Sequence, residues 1–196
     1  MKDYIKFPLV LIIIAVISAA ALTALYSVTK AKKEAMAVEV QSQALAIVLP
    51  QAKTFEQKLK DGFEYHLGKN EKGTVVGYAT VGKAAGYSSV LEVMVGVDTK
   101  FQIQAIKVLS QKETPGLGDK VNEILSKKTW GTVIAGTLPD ESNLRPWFQV
   151  QFDGKIAPIK VDKDGGDVQA ITGATISSRA ICDAVNQAIE KIKNVN

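Results

Sequence analysis

The chain has 196 residues, a formal net charge of +4, 46% hydrophobic residues, one Cys and one His. A single cysteine excludes an internal disulfide and a four-thiolate cluster, the lack of a C-x-x-C-H run excludes covalent haem, and one histidine leaves no credible Ser-His-Asp arrangement. Acidic and basic residues are interspersed, and no Lys/Arg block carries interleaved aromatics, so a solvated mixed surface is expected and nucleic acid is not an expected partner.

Residues 1–6 form a short tail. From Phe7 through Thr29 there is no charged residue, a run of about 23 residues against the roughly 20 that cross a bilayer core as a helix. Pro8 falls in the first turn, where a missing N–H costs little, and Tyr26 suits an interfacial aromatic. A cleaved signal peptide is the competing reading, with Ala19-Ala20-Ala21 as a cleavage site. The apolar run continues through Leu22, Leu25 and Val28, longer than a usual signal core, which favours a retained transmembrane anchor at 7–29. Lys2 and Lys6 face Lys30, Lys32 and Lys33 across the span, so charge bias leaves the orientation open.

Residues 30–50 read as a helical stalk or linker, because Ala31 to Leu49 has helical character until Pro50 stops it. With the anchor set aside, roughly 165 residues remain, enough for one domain with its own core, assigned to 51–196. His66 follows Tyr65 in a charged loop and lacks the partners of a metal site. Val/Ile-rich runs at Gly73–Val81, Ser89–Val97, Phe101–Leu109 and Phe148–Phe152 predict strands, and Gly96-Val97-Asp98-Thr99-Lys100 predicts a hairpin. Trp130 and Trp147 read as core residues, with packing on a ligand ring as the alternative. Near the C-terminus, Ile181, Val185, Ala188 and Ile192 trace one apolar helical stripe, and Cys182 beside it reads as a small core residue. Strands first and a terminal helix last predict an α+β fold with a mostly antiparallel sheet.

Two segments carry candidate chemistry. Thr172-Gly173-Ala174-Thr175 stands at the mouth of the terminal helix, where free N–H groups and the macrodipole favour a phosphate. Ser and Thr are also ordinary N-caps, and Thr172 is placed as the cap, with Ser177 and Ser178 in the first helical turn. Glu113-Thr114-Pro115-Gly116-Leu117-Gly118-Asp119-Lys120 follows a predicted strand. Pro115 fixes one backbone angle, while Gly116 and Gly118 permit positive φ or close approach. Leu117, held between them on a polar loop, suits the face of a planar aromatic ligand. The alternative is a turn leading into a helix through Val121 to Leu125. Gly86-Tyr87-Ser88-Ser89 is a third candidate, either a border for a flat ring or an edge turn with an exposed tyrosine.

Taken together with the anchor, the ETPGLGDK loop, the Trp147-Phe148 segment leading to Gly154-Lys155, and the TGATISS helix, the chain resembles the G subunit of the Rnf electron-transport complex. It is similar also to the C subunit of the sodium-pumping NADH:quinone oxidoreductase. The resemblance implies a membrane-anchored FMN-binding domain on the extracytoplasmic side of the inner membrane, with other membrane subunits as partners. It implies FMN joined through its phosphate to Thr175 by a separate flavin transferase that draws on FAD. Thr172, Gly173 and Ala174 match the rest of the attachment motif, Ser177 matches a hydroxyl position one turn on, and Glu113, Thr114 and Leu117 match loop positions that touch the isoalloxazine ring in relatives. Gly116 completes the loop, and Tyr87 is the aromatic candidate beside it. One position departs: Gln169 stands where the transferase recognition pattern usually has Asp, with Asp167 two residues earlier. The competing readings are a flavin-free anchored module that binds a partner protein, a stand-alone flavin reductase, and a component of an NADH:quinone oxidoreductase. Thr175 is in any case an attachment point, with the redox chemistry left to the flavin.

Overall fold

The computed structural model describes residues 2–60, 62–125 and 144–195. Trp130 lies outside the described residues. The chain divides into two compact units, Met1–Ser42 and Gln43–Asn196.

The first unit is helical. Helix α1 spans Lys2–Val48 and carries Pro8 near its start. Leu9, Val10, Leu11, Ile12, Ile13 and Ile14 are all exposed, and six successive helical residues go all the way round, so this stretch presents apolar side chains on every side. Three of the hydroxyls on α1 bond back to the helix: Thr23 donates to the Ala19 carbonyl at 2.8 Å, Ser27 to that of Ala24 at 2.8 Å and Thr29 to that of Leu25 at 2.7 Å, the local back-bonding open to Ser and Thr within a helix. Over Lys6–Val48 the helix is long and apolar enough to cross a membrane.

The second unit begins within α1, at Gln43, inside the segment read from sequence as a stalk. Ala44, Leu45, Val48 and Leu49 are buried there against Ala79, Met94 and Ala105. A five-stranded antiparallel meander follows in the order β1-β2-β3-β4-β5: β1 Thr54–Lys60, β2 Phe63–Lys69, β3 Val75–Ala85, β4 Val90–Asp98 and β5 Ile103–Ser110. The alternation of β4 sends Leu91, Val93, Val95 and Val97 to one face and Met94 to the other, the period of two that a sheet buried on both faces requires. The β4–β5 turn is locked by Asp98 Oδ1, which accepts from the N–H groups of Lys100 and Gln102 at 2.8 and 2.9 Å.

Helix α2, Trp147–Val150, is short. Helix α3, Thr175–Val195, packs on β3 and β4 through the expected stripe of Ile181, Val185, Ala188 and Ile192, all fully buried. Cys182 is buried on the same helix. Burial, reinforced by the charges of Asp183 and Asp164, pushes its thiol up to about 12.

Three sequence expectations are corrected. The segment Phe148–Phe152 is a helical turn, not a strand. Pro146 sets φ −54° at the position before it, and Phe148 and Phe152, four residues apart, bring their rings to 5.7 Å between centroids, a helical spacing. His66 is on β2, buried, with Glu64 at 3.5 Å, and is not in a loop. The stretch after Asp119 is a 3₁₀ turn, Gly118–Asn122, that ends before the predicted Leu125.

Gly82 decides how closely α3 approaches the sheet. A Cβ built there would stand 1.9 Å from the Ala184 carbonyl oxygen, a backbone atom that cannot swing aside. Gly82→Ala should therefore cost about 1–3 kcal/mol of stability through overpacking. A melting temperature equal to wild type would mean that α3 sits farther from β3.

Candidate functional site

The start of α3 is built by a chain reversal followed by an open helix end. Gly173 has φ +78°, the left-handed conformation that glycine adopts at little cost. Ala174 N–H donates to the Ile171 carbonyl at 2.9 Å, and the Ala174 carbonyl accepts the first helical bond, from Ser178 N–H at 3.0 Å. The N–H groups of Thr175, Ile176 and Ser177 precede that bond, so helix geometry leaves them pointing out of the helix end. Ser178 staples the turn from inside, accepting from Ile171 N–H and donating to the Ala174 carbonyl, each at 3.0 Å. Thr172 is not the cap that sequence suggested: it is exposed, three residues before the helix, and the cap position falls to Ala174.

The hydroxyls near the helix end differ sharply in access. Ser177 and Ser178 are buried. Thr175 is half-buried, and its Oγ1 accepts a hydrogen bond from Lys163 Nζ at 2.9 Å.

Glu113 ties three separate segments together. Its carboxylate accepts from the N–H groups of Tyr87, Ser88 and Ser89 at 3.1, 3.1 and 3.0 Å, from Ser89 Oγ at 3.1 Å, and from Ser177 Oγ at 2.5 Å. The residue is 6% exposed. Burial alone would raise its carboxyl pKa, but the hydrogen bonds from Ser177, Ser88, Tyr87 and Ser89 outweigh it and hold the group below the ordinary carboxylate value. With its oxygens turned to protein donors, Glu113 shapes the site by joining the GYSS turn, the ETPGLG loop and α3.

The loop is pressed onto α3 at Gly118, where a Cβ would lie 2.6 Å from Ser177 Oγ and 2.7 Å from Glu113 Cβ. Gly116 takes the positive φ that sequence allowed it, +77°. Leu117 is 43% exposed, and its Cδ2 lies 3.0 Å from the place a Cβ would take on Gly173. It therefore overhangs the mouth of α3 and does not fill the core.

These elements enclose a cleft of about 610 Å³, within the roughly 300–1,000 Å³ usual for small-molecule sites. Of the residues singled out by sequence, Tyr87, Glu113, Thr114 and Leu117 line one side, and Gly173, Ala174, Thr175 and Ser177 line the other. Thr172 and Gly116 stand beside the cleft without lining it. Lys163 and Ile176 line it too and were missed. Lys163 lies between two aspartates in a glycine-rich stretch, which reads as solvated charge. Gln169 is exposed, and its backbone is held by the Gln151 side chain at 2.7 and 3.3 Å. Trp147 packs partly buried against the core, edge-on to Phe148, and does not line the cleft.

A ligand that fits has a phosphate and a flat apolar part. The phosphate would meet the helix N-terminus and Lys163 beside Thr175, and the flat part would meet Leu117, Tyr87 and Ile176, which are 43%, 72% and 50% exposed. Comparison with known proteins points to the same chemistry. A family model described as FMN-binding domain matches residues 86–190, from the GYSS turn into α3. The chain is 30% identical over 201 residues to the G subunit of the ion-translocating oxidoreductase complex of Methanosarcina acetivorans, covering 97% of this chain and 95% of that one. It is 28% identical over 219 residues to the G subunit of the Na(+)-translocating ferredoxin:NAD(+) oxidoreductase complex of Acetobacterium woodii, covering 100% and 94%. The crystal structure of NqrC from Shewanella oneidensis matches with a TM-score of 0.49 at 16% identity, over 75% of this chain and 73% of that one. The chain belongs to the FMN-binding domain family, among the G subunits of ion-translocating oxidoreductase complexes.

Proposed function

We propose that this chain is a membrane-anchored flavoprotein subunit that carries FMN esterified to Thr175. It relays electrons inside an ion-translocating ferredoxin:NAD oxidoreductase complex. The observation that carries the attachment site is the contrast among hydroxyls: Thr175 faces the cleft with a lysine on its oxygen, while Ser177 and Ser178 are buried and bonded inward. The flavin, when bound, supplies one- and two-electron chemistry. The chain's own residues do the rest. Thr175 and the first N–H groups of α3 hold the phosphate, Leu117 and Tyr87 cover the ring, and Glu113 fixes the walls. Residues 7–29 act as the span, and 51–196 carry the flavin on the extracytoplasmic side, where a covalent tether prevents loss of FMN. Loading is the work of a flavin transferase using FAD, and the other partners are membrane subunits of the complex.

The test is to express the full chain with and without a flavin transferase and read intact mass and in-gel fluorescence after denaturation. The expected result is a transferase-dependent gain of one FMN less one water, in a membrane fraction that contains other subunits of the complex. A chain that stays flavin-free with an active transferase would overturn the reading.

The ring-covering role of Leu117 has its own check. Leu117→Ala should shift the absorption spectrum or potential of the loaded flavin. It should also leave the flavin-free chain well short of the roughly 2–5 kcal/mol lost when a buried leucine is truncated. A loss of that full size with an unchanged spectrum would make Leu117 a core residue.

A further inference from the structure

We propose that Lys163 is a positioning residue for flavin attachment, a cation delivered to the Thr175 hydroxyl by a turn docked on α3. The inference rests on Thr175 being the attachment residue, and it assigns a second residue from a different part of the chain.

Lys163 belongs to the short 3₁₀ turn Asp162–Asp164. The turn is closed on itself: Asp164 and Gly166 N–H both donate to the Val161 carbonyl at 2.9 Å, and Asp162 Oδ1 accepts from Lys163 and Ala170 N–H at 2.8 and 3.1 Å. It is fixed to α3 by one two-pronged contact, in which Arg179 Nε and Nη2 donate to the Asp164 carboxylate at 2.7 and 2.6 Å. A fork of this kind sets orientation as well as distance. Thr175 and Arg179 are four residues apart on the helix and share a face. Clamping Asp164 to Arg179 therefore lays the neighbouring Lys163 over the preceding turn, where Nζ reaches Thr175 Oγ1 at 2.9 Å.

The charges sort themselves along the same line. Arg179 neutralises Asp164, and Asp162 faces backbone donors. Among the described residues Lys163 makes no ion pair, so its charge is directed at the hydroxyl. Thr175 Oγ1 accepts from the ammonium, which leaves its own O–H for a base. In the transfer, Oγ1 bonds to the FMN-side phosphorus of FAD and the pyrophosphate P–O bond breaks. AMP leaves with the electron pair, the hydroxyl proton passes to a base of the transferase, and nothing is oxidised or reduced. Lys163 stabilises the charge that develops on Oγ1 and, with the helix N–H groups, the diester that results.

The experiment follows loading of the full-length chain by intact mass over time, with FAD and a purified flavin transferase. Wild type is compared with Lys163→Gln, Lys163→Met, Lys163→Arg and Thr175→Ala. Lys163→Gln and Lys163→Met should load slower by about tenfold or more, the worth of one charged hydrogen bond. Lys163→Arg should recover most of the rate. Melting temperatures should stay within about 2 °C of wild type, since the side chain is exposed. Wild-type loading rates in both neutral variants, or an arginine variant as slow as glutamine, would overturn the role. Flavin retained by Thr175→Ala would instead refute the attachment site itself, a separate and separately visible failure.

Discussion

Thr175→Ala, made together with a flavin transferase, should emerge with no FMN mass increment and no fluorescent band, while Ser177→Ala and Ser178→Ala keep both. The loss is expected to be complete because no other hydroxyl takes its place: Ser177 is held by Glu113 at 2.5 Å and Ser178 is shared between Ile171 and Ala174. Thr172 is exposed, but it lies before the Gly173 reversal, away from the first N–H groups of α3. Folding should be nearly untouched by the substitution, since a half-buried side chain with one hydrogen bond contributes about 1 kcal/mol. Ser178→Ala should be the less stable protein, by about 1–3 kcal/mol, because it leaves the Ile171 N–H without its acceptor. Full FMN loading of Thr175→Ala would sink the assignment.

Glu113→Ala should be the most damaging change at the site. It strips the acceptor from three backbone N–H groups and from the Ser89 and Ser177 hydroxyls together. A buried donor left unpaired costs about 1–3 kcal/mol; Ser177 is buried and the GYSS donors are part-buried, so with partial recovery through water a total of about 3 kcal/mol or more is expected. For a chain of this size that is a fall of roughly 6–12 °C in melting temperature.

Glu113→Gln tests the charge itself, because an amide offers only one acceptor oxygen and turns its NH₂ toward donors. The sign of the pH dependence follows from the lowered carboxyl pKa. A group with a depressed folded-state pKa contributes fully above its unfolded value, and the contribution fades as pH falls through the folded one. The stability gap between wild type and Glu113→Gln should be widest near neutrality and should narrow below the ordinary carboxyl value of 4.5. A gap that does not change between pH 7 and pH 3 would show that the carboxylate charge is not what holds the segments together.

Most of the site was legible because its residues announce themselves locally. A hydroxyl-glycine-small residue run before an amphipathic stripe marks the start of α3, and a leucine between two glycines has little chance of reaching a core. Strands β3, β4 and β5 were readable from their Val/Ile content, since they form the middle and one side of a sheet covered on both faces. The β1–β2 hairpin was not read. β1 is exposed along nearly its whole length and carries Lys and Glu, as edge strands do to discourage further pairing, so it shows no hydrophobic period. Its one local sign was Asp61-Gly62 between the two runs, a strong hairpin dipeptide. The α2 turn was misread because two phenylalanines in a five-residue run look strand-like until Pro146 is given its weight. Lys163 was out of reach for a different reason. Its meaning depends on the Asp164–Arg179 fork, a contact across 15 residues between side chains that each look like ordinary surface charge.

The sole cysteine gives the molecule a built-in clock. Cys182 is buried on α3, between Ser178 and Asn186, which bond to Ile171 and Ile159, and its thiol is pushed up to about 12, so at neutral pH it is neither accessible nor ionised enough to react while the helix stays docked. Each alkylation event therefore counts one opening of the packing around α3, and a molecule can be counted only once. Because the flavin acceptor stands at the head of that same helix, the ticking rate of the loaded and unloaded protein compares how firmly α3 is held with and without its cargo.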